Sequence, residues 1–216
     1  MMGRGFVIAI VGAESTGKTQ LARSLGQALA QPDRRVAVVP EYLREFCDAH
    51  GRTPRVDEQT TIALEQTRRI DAAATSHDLV VADTTALMTA VYSEKVFEDA
   101  SLYAQALSAH TRSQLTLLTA LDLPWQADGL QRDGPQVREP VDRLVRSALT
   151  RARLDFCVVS GTGPTRLENA LASVLRALQP PPRDSSLRWQ WVCERCGDAD
   201  CERHWLPRVT QEPATK

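Results

Sequence analysis

The chain has 216 residues, 43% apolar and 25% charged, a composition that excludes a disordered or low-complexity protein and suits one domain with a small appendage. A formal net charge of −1 gives no electrostatic case for nucleic acid or an anionic membrane as the main partner. No apolar run approaches the roughly 20 residues of a membrane span, and Met1–Gly5 leads straight into a strand-like segment without a signal-peptide pattern, so a soluble cytoplasmic protein is the expectation.

Phe6–Val11 is an unbroken apolar run, rich in β-branched residues and too short for a helix, which is the pattern of a strand buried on both faces. Gly12-Ala13-Glu14-Ser15-Thr16-Gly17-Lys18-Thr19 follows and fits G-x-x-x-x-G-K-[ST]; Lys18–Ala30 then carries Leu21, Leu25 and Leu29 on one helical face. A glycine-containing turn between a buried strand and a helix points successive backbone N–H groups at phosphate oxygens, and the helix adds the positive end of its dipole. Gly12, Glu14, Ser15, Thr16 and Gly17 form the body of this loop. Lys18 is placed to reach the β- and γ-phosphates of ATP, and the Thr19 hydroxyl to bind Mg²⁺. Glu14 faces either solvent or substrate.

Val36–Val39 reads as a second buried strand, ended by Pro40. Glu41 follows it, positioned to accept a proton from an attacking hydroxyl or, in the alternative, to interact with a helix dipole from a first turn. Val56–Ala74 reads as a helix and Leu79–Ala82 as a third strand. Asp83 ends that strand, where a carboxylate either holds Mg²⁺ or caps the helix that follows Thr84. Helical patterns at Ala86–Val96 and Leu102–Arg112 precede a fourth strand, Leu115–Leu121, and then Asp122 and Trp125. Residues 128–139 form a glycine-containing segment bearing Arg132 and Arg138, as expected of a lid that closes over a transferring phosphoryl group. Val141–Arg151 and Arg166–Leu178 read as helices on either side of a fifth strand, Phe156–Val159.

Apolar strands alternating with amphipathic helices predict an α/β fold: a doubly wound, mostly or wholly parallel five-stranded sheet. Ligands of such sheets gather beyond the carboxyl ends of the strands, and Glu14, Lys18, Glu41, Asp83 and Asp122 all fall there. The P-loop domain is placed at 1–178. A proline-rich linker follows at 179–186, then a Trp- and Cys-rich module at 187–216. Within the module Cys193, Cys196, Cys201 and His204 read C-x₂-C-x₄-C-x₂-H, four N/S ligands suited to a closed structural Zn²⁺ site. A reduced tail without metal is the alternative.

Several blocks, in order over about residues 6–170, resemble the nicotinamide riboside kinase domain of the bacterial NadR-type proteins. They are the P-loop; Val39-Pro40-Glu41-Tyr42 with Arg44; Ala82-Asp83-Thr84-Thr85 with Thr89-Ala90-Val91-Tyr92-Ser93; and Leu123-Pro124-Trp125 with Asp128-Gly129 and Gln131-Arg132-Asp133. The resemblance implies a P-loop kinase fold and ATP- and Mg²⁺-dependent phosphorylation of the ribose 5′-hydroxyl of nicotinamide riboside. Lys18, Asp83, Glu41, Arg132 and Arg138 become the expected catalytic set, and Asp83, Glu41 and Asp122 the candidate partners of ribose hydroxyls or metal. Trp125 becomes a stacking partner for the cationic nicotinamide ring, with Tyr42 and Tyr92 as further pocket residues. The expected partners are ATP and nicotinamide riboside, with a homo-oligomer as a compatible assembly and neither membrane nor nucleic acid involved. A kinase for another nucleoside or metabolite, and a nucleotide-switched regulator acting through the Cys-rich module, are the alternatives. The other domains of NadR-type proteins are outside the match, so adenylyl transfer and repressor activity are not expected.

Overall fold

The apolar runs become five strands of one sheet: β1 (Phe6–Val11), β2 (Val36–Val39), β3 (Leu79–Asp83), β4 (Leu115–Thr119) and β5 (Cys157–Val159). Their order is β2-β3-β1-β4-β5, and every pairing is parallel. This computed structural model describes residues 4–126 and 134–179. The lid residue Arg132, the module at 187–216 and its ligand set Cys193, Cys196, Cys201 and His204 lie outside the described residues, as does the linker after Gln179.

Helices cover both faces of the sheet, and the period-2 alternation of each strand decides which residue meets which helix. On one face Ile8 and Ile10 of β1, with Val81 and Leu117, pack against Leu21, Leu25 and Leu29 of α1 (Lys18–Leu29) and Val174 of α7 (Gly163–Leu178). On the other face Val7, Val80 and Ala82 meet Ile70 and Ala74 of α3 (Gln59–Ser76). On that same face Val11 and Leu118 meet Leu87 and Val91 of α4 (Ala86–Phe97) and Val145 and Leu149 of α6 (Arg138–Arg151). Ile8, Ile10, Leu25 and Leu117 have no exposed surface, and burial of each such side chain contributes about 1.5–3 kcal/mol. That packing fixes β1 and α1, the two elements that carry the P-loop.

The chain leaves β1 toward β2 on one side and leaves β3 toward β4 on the other. Such a reversal opens a crevice at the carboxyl ends of the strands, where ligands of open α/β sheets bind. No helix among the described residues is long and apolar enough to cross a membrane.

Departures from the sequence expectation are local. A helix α2 (Tyr42–His50), absent from the sequence expectation, begins directly after Pro40-Glu41; it buries Leu43 and Cys47, with Tyr42 and Phe46 partly buried beside them, a stripe of only two turns. The expected helix at Val56–Ala74 opens as a 3₁₀ turn, Val56–Glu58, held by Glu58, which accepts from the Arg55 amide (2.7 Å) and from Arg52 (2.6 Å). β4 stops at Thr119 rather than Leu121: Ala120 still donates to Val159 O (2.9 Å), and the chain then turns away through Asp122. α5 (Tyr103–His110) completes the set of α-helices among the described residues.

Candidate active site

Gly12 starts the P-loop at φ 145°, and a Cβ there would lie 2.1 Å from Thr119 Oγ1, so only glycine fits between β1 and β4. Gly17, at φ 75°, is the N-cap of α1 and offers no side-chain acceptor; no acidic residue occupies the first turn. The first N–H groups of α1 and its positive dipole end are therefore left for an anion. The loop is braced from inside. Thr16 Oγ1 donates to Ala13 O (2.7 Å) and lies 2.7 Å from Thr119 Oγ1, while Lys18 Nζ donates to Ala13 O (2.8 Å). Lys18 thus lies across its own loop with further ammonium donors to spend. Ser15 (φ 53°) makes a two-way contact with Gln126, accepting from its N–H (2.9 Å) and donating to its carbonyl, which ties the loop to the segment after β4.

A residue that sequence pattern does not flag holds the loop from behind. Arg166, 5% exposed, donates through Nη2 to Thr16 O (2.8 Å) and through Nη1 to Gly161 O (2.8 Å) and Asp122 Oδ1 (2.8 Å). One guanidinium thereby links the P-loop to the turn between β5 and α7. Asp122, expected to face ribose or metal, is committed instead to this strut and also accepts from the Gly161 amide (2.6 Å). Burial raises its pKa, but these hydrogen bonds and the Arg166 charge outweigh that and hold its carboxyl below the ordinary value.

Asp83 sits at the end of β3, paired in register with Ile10 of β1, and is 2% exposed. The helix after it is capped by Thr85, whose Oγ1 accepts from the Leu87 amide (3.3 Å), so the capping role open to Asp83 in the sequence belongs to its neighbour. Asp83 Oδ1 is buried without a hydrogen-bond partner. A buried carboxylate oxygen with no donor calls for a cation or an ordered water. Asp83 ends the strand next to β1, which leads into the P-loop, and this carboxylate with the Thr19 hydroxyl is an oxygen donor set of the kind that fits a Mg²⁺ ion. Thr84, between Asp83 and the cap, has φ 71°. For a β-branched residue that is a strained conformation, worth about 1–3 kcal/mol, of the kind that collects at functional sites.

A groove of about 620 Å³ runs over the P-loop and is lined by Lys18, Thr19, Glu41, Arg44, Pro124 and Gln126 among others. Glu41, the N-cap of α2, makes no capping hydrogen bond; its carboxylate is 3.9 Å from Arg44 Nε. Arg138 is 8% exposed and donates to Leu123 O (2.8 Å), leaving Nε and Nη2 buried and unpartnered. Glu14 Oε2 is likewise buried without a partner. A second cavity of about 400 Å³ is lined by Gly17, Leu21, Leu123, Pro164, Arg166 and Leu167 among others; it is more apolar and starts where the P-loop ends. Trp125 is half-buried between the groove residues Pro124 and Gln126. The other two aromatic candidates are engaged within the fold. The Tyr42 ring lies under the Arg69 guanidinium, 4.4 Å from centroid to Cζ, and Tyr92 packs on the cluster around Leu87 and Val91.

Comparison with known proteins agrees with this architecture. The sequence matches the family described as an AAA domain over residues 7–166. Among curated proteins none matches it. Similar solved structures include NadR in complex with NR (TM-score 0.65, 20% identity, covering 80% of this chain and 49% of that chain). NadR in complex with NAD and AMP-PNP is also similar (TM-score 0.61, 19% identity, 84% of this chain and 52% of that chain). A third is thymidylate kinase from Ehrlichia chaffeensis (TM-score 0.58, 14% identity, 82% of this chain and 100% of that chain). At these identities the likeness is one of fold. The chain spans about half the length of the NadR chains it matches.

Proposed function

The chain belongs to the AAA-domain family, and from that premise we propose that it is a kinase that transfers the γ-phosphoryl group of ATP to the ribose 5′-hydroxyl of nicotinamide riboside. The observation that carries the reading is the meeting of Lys18, Thr19 and Glu41 in one groove, with the orphaned Asp83 carboxylate at the neighbouring strand end. The choice of acceptor rests on the NadR-like sequence blocks, supported by a similar NadR structure in complex with NR.

Phosphoryl transfer asks the protein for position and charge rather than covalent chemistry. The backbone N–H groups of the loop and the uncapped start of α1 would cradle the β-phosphate, with Lys18 releasing Ala13 O to reach the γ-phosphate. Asp83 and the Thr19 hydroxyl would hold Mg²⁺, which when bound neutralises phosphate charge. The apolar cavity between Leu21, Leu123 and Leu167 suits the adenine ring, and Arg166 in its wall joins it to the loop. Glu41 accepts the proton of the attacking hydroxyl. Arg138, with two unused donors, supports the charge that develops on the transferred group, together with Arg132. Trp125 stacks on the cationic nicotinamide.

A steady-state assay with ATP, Mg²⁺ and nicotinamide riboside tests the reaction, run beside other nucleosides and thymidine monophosphate. Turnover of another acceptor with none of nicotinamide riboside would retire this substrate and keep the kinase. Trp125→Ala is expected to raise KM for the riboside about fivefold or more, as loss of a cation–π contact of about 1 kcal/mol implies, with KM for ATP unchanged. The reverse pattern removes the stacking assignment. For the C-terminal module, the ligand arithmetic of Cys193, Cys196, Cys201 and His204 predicts about one zinc per chain. Metal analysis of protein purified without chelators checks it, and a zinc-free protein overturns it.

A further inference from the structure

We propose that His110 is a positioning residue for Asp83: its imidazole ties the Asp83-Thr84-Thr85 turn to β4 and so sets where the carboxylate stands relative to the P-loop. The inference rests on the reading of Asp83 as the metal-holding carboxylate. It starts from a demand of the backbone. Thr84 is held at φ 71°, and a strained conformation of that kind persists only where neighbours over-determine it. One restraint comes from β1, because the Thr84 amide donates to Ile10 O (3.1 Å). The other comes through Thr85. Its hydroxyl accepts from the Leu87 amide and lies 2.9 Å from His110 Nδ1; His110 Nε2 in turn lies 2.9 Å from Thr116 Oγ1.

Thr116 stands on β4 in register with Ala9, which in turn pairs with Ala82, the residue before Asp83. The imidazole therefore spans from the turn to a strand two places away at the height of the site. His110 is 3% exposed, and burial pushes its pKa down to about 4. The ring is neutral at working pH, with one donor and one acceptor on its two nitrogens. Both hydroxyls can rotate to complement either tautomer. A core histidine needs partners but not these partners. Here both nitrogens are spent on anchoring the two-residue continuation of the candidate metal ligand, as outer-sphere groups at metal sites do.

The test uses the full chain with ADP bound and Mn²⁺ as the probe, its affinity read by electron paramagnetic resonance, so that acceptor identity plays no part. His110→Leu removes both hydrogen bonds at similar bulk. Thr116→Val cuts the far anchor, preserves core volume and keeps the test alive should the leucine variant fail to fold. His110→Gln keeps one donor and one acceptor. The expected result is an Mn²⁺ dissociation constant raised about tenfold, the lower end of outer-sphere effects, in His110→Leu and Thr116→Val, with most of the affinity restored in His110→Gln. Unchanged Mn²⁺ affinity in His110→Leu and Thr116→Val, with only their melting temperatures lowered, would overturn the inference. So would a glutamine variant as weak as the leucine one. Asp83→Asn separates the layers: if it binds Mn²⁺ as tightly as the native chain, the metal reading of Asp83 fails and takes this inference with it. If it binds weakly while both His110→Leu and Thr116→Val bind normally, only the positioning role fails.

Discussion

Replacing Lys18 with alanine is expected to lower kcat by about 10³-fold or more, the scale of removing a preorganised donor from developing charge, while leaving the fold intact. Both halves follow from the geometry of the loop. Lys18 donates to Ala13 O, but Thr16 Oγ1 donates to the same carbonyl, so the acceptor keeps a partner after the substitution. Gly12 against Thr119, and Arg166 on the Thr16 carbonyl, do not depend on the ammonium. Half-exposed and away from the core, the side chain contributes little to stability. The other cation lining the described groove is Arg44, 3.9 Å from Glu41, and Arg138 and Arg132 add to the ammonium on the transferred group rather than replace it. Steady-state kinetics paired with thermal melting check the result. A variant that keeps more than about a tenth of native turnover would remove Lys18 from the transition state.

The parts of this molecule that can be read from sequence are those in which local pattern and tertiary environment agree. β1 begins and ends where its apolar run does, because a strand covered on both faces needs apolar residues at consecutive positions. β2 keeps its expected bounds but is an edge strand in which only Val39 is buried, not the buried strand its apolar run predicts. The P-loop is legible for a similar reason: its glycines, lysine and threonine answer to the backbone of one short segment. β4 is less so, since Ala120 and Leu121 continue the apolar run after the chain has begun to turn. Arg166 is invisible in the sequence. It is one arginine in an amphipathic helix, and its role exists only because the carbonyls of Thr16 and Ala120, from two distant segments, converge on it with that of Gly161 in the turn before its helix. Asp122 illustrates the limit of arguing from position. It lies beyond the end of β4 as a ligand residue should, yet its oxygens turn toward Arg166 and the Gly161 amide. Asp83 is the last residue of β3, and its Oδ1 has no such partner. Only hydrogen-bond accounting distinguishes the two carboxylates.

That accounting predicts a paired outcome for Asp83→Asn: lower activity together with higher stability. Asparagine keeps the size of the side chain and removes the charge. If Asp83 serves Mg²⁺, the substitution weakens the hold on the metal and lowers kcat about 10²-fold or more, in line with the loss of one major electrostatic group. In the metal-free protein the same change lowers a cost, because Asp83 is 2% exposed with no donor to Oδ1, and a neutral amide oxygen left without a donor costs less to bury than a charged one. An unsatisfied buried polar atom costs about 1–3 kcal/mol, more when charged. A gain of about 1 kcal/mol would raise the melting temperature of a chain this size by about 2–4 °C. Melting curves with and without Mg²⁺·ADP check the pair: the native chain should gain the more from the ligand, since ligand binding stabilises the state that holds it. A structural carboxylate predicts the opposite sign, a variant that melts lower and still turns over. The two readings of Asp83 therefore differ in the direction of both measurements, and coincident loss of activity and gain of stability is an outcome that only a carboxylate kept for a ligand produces.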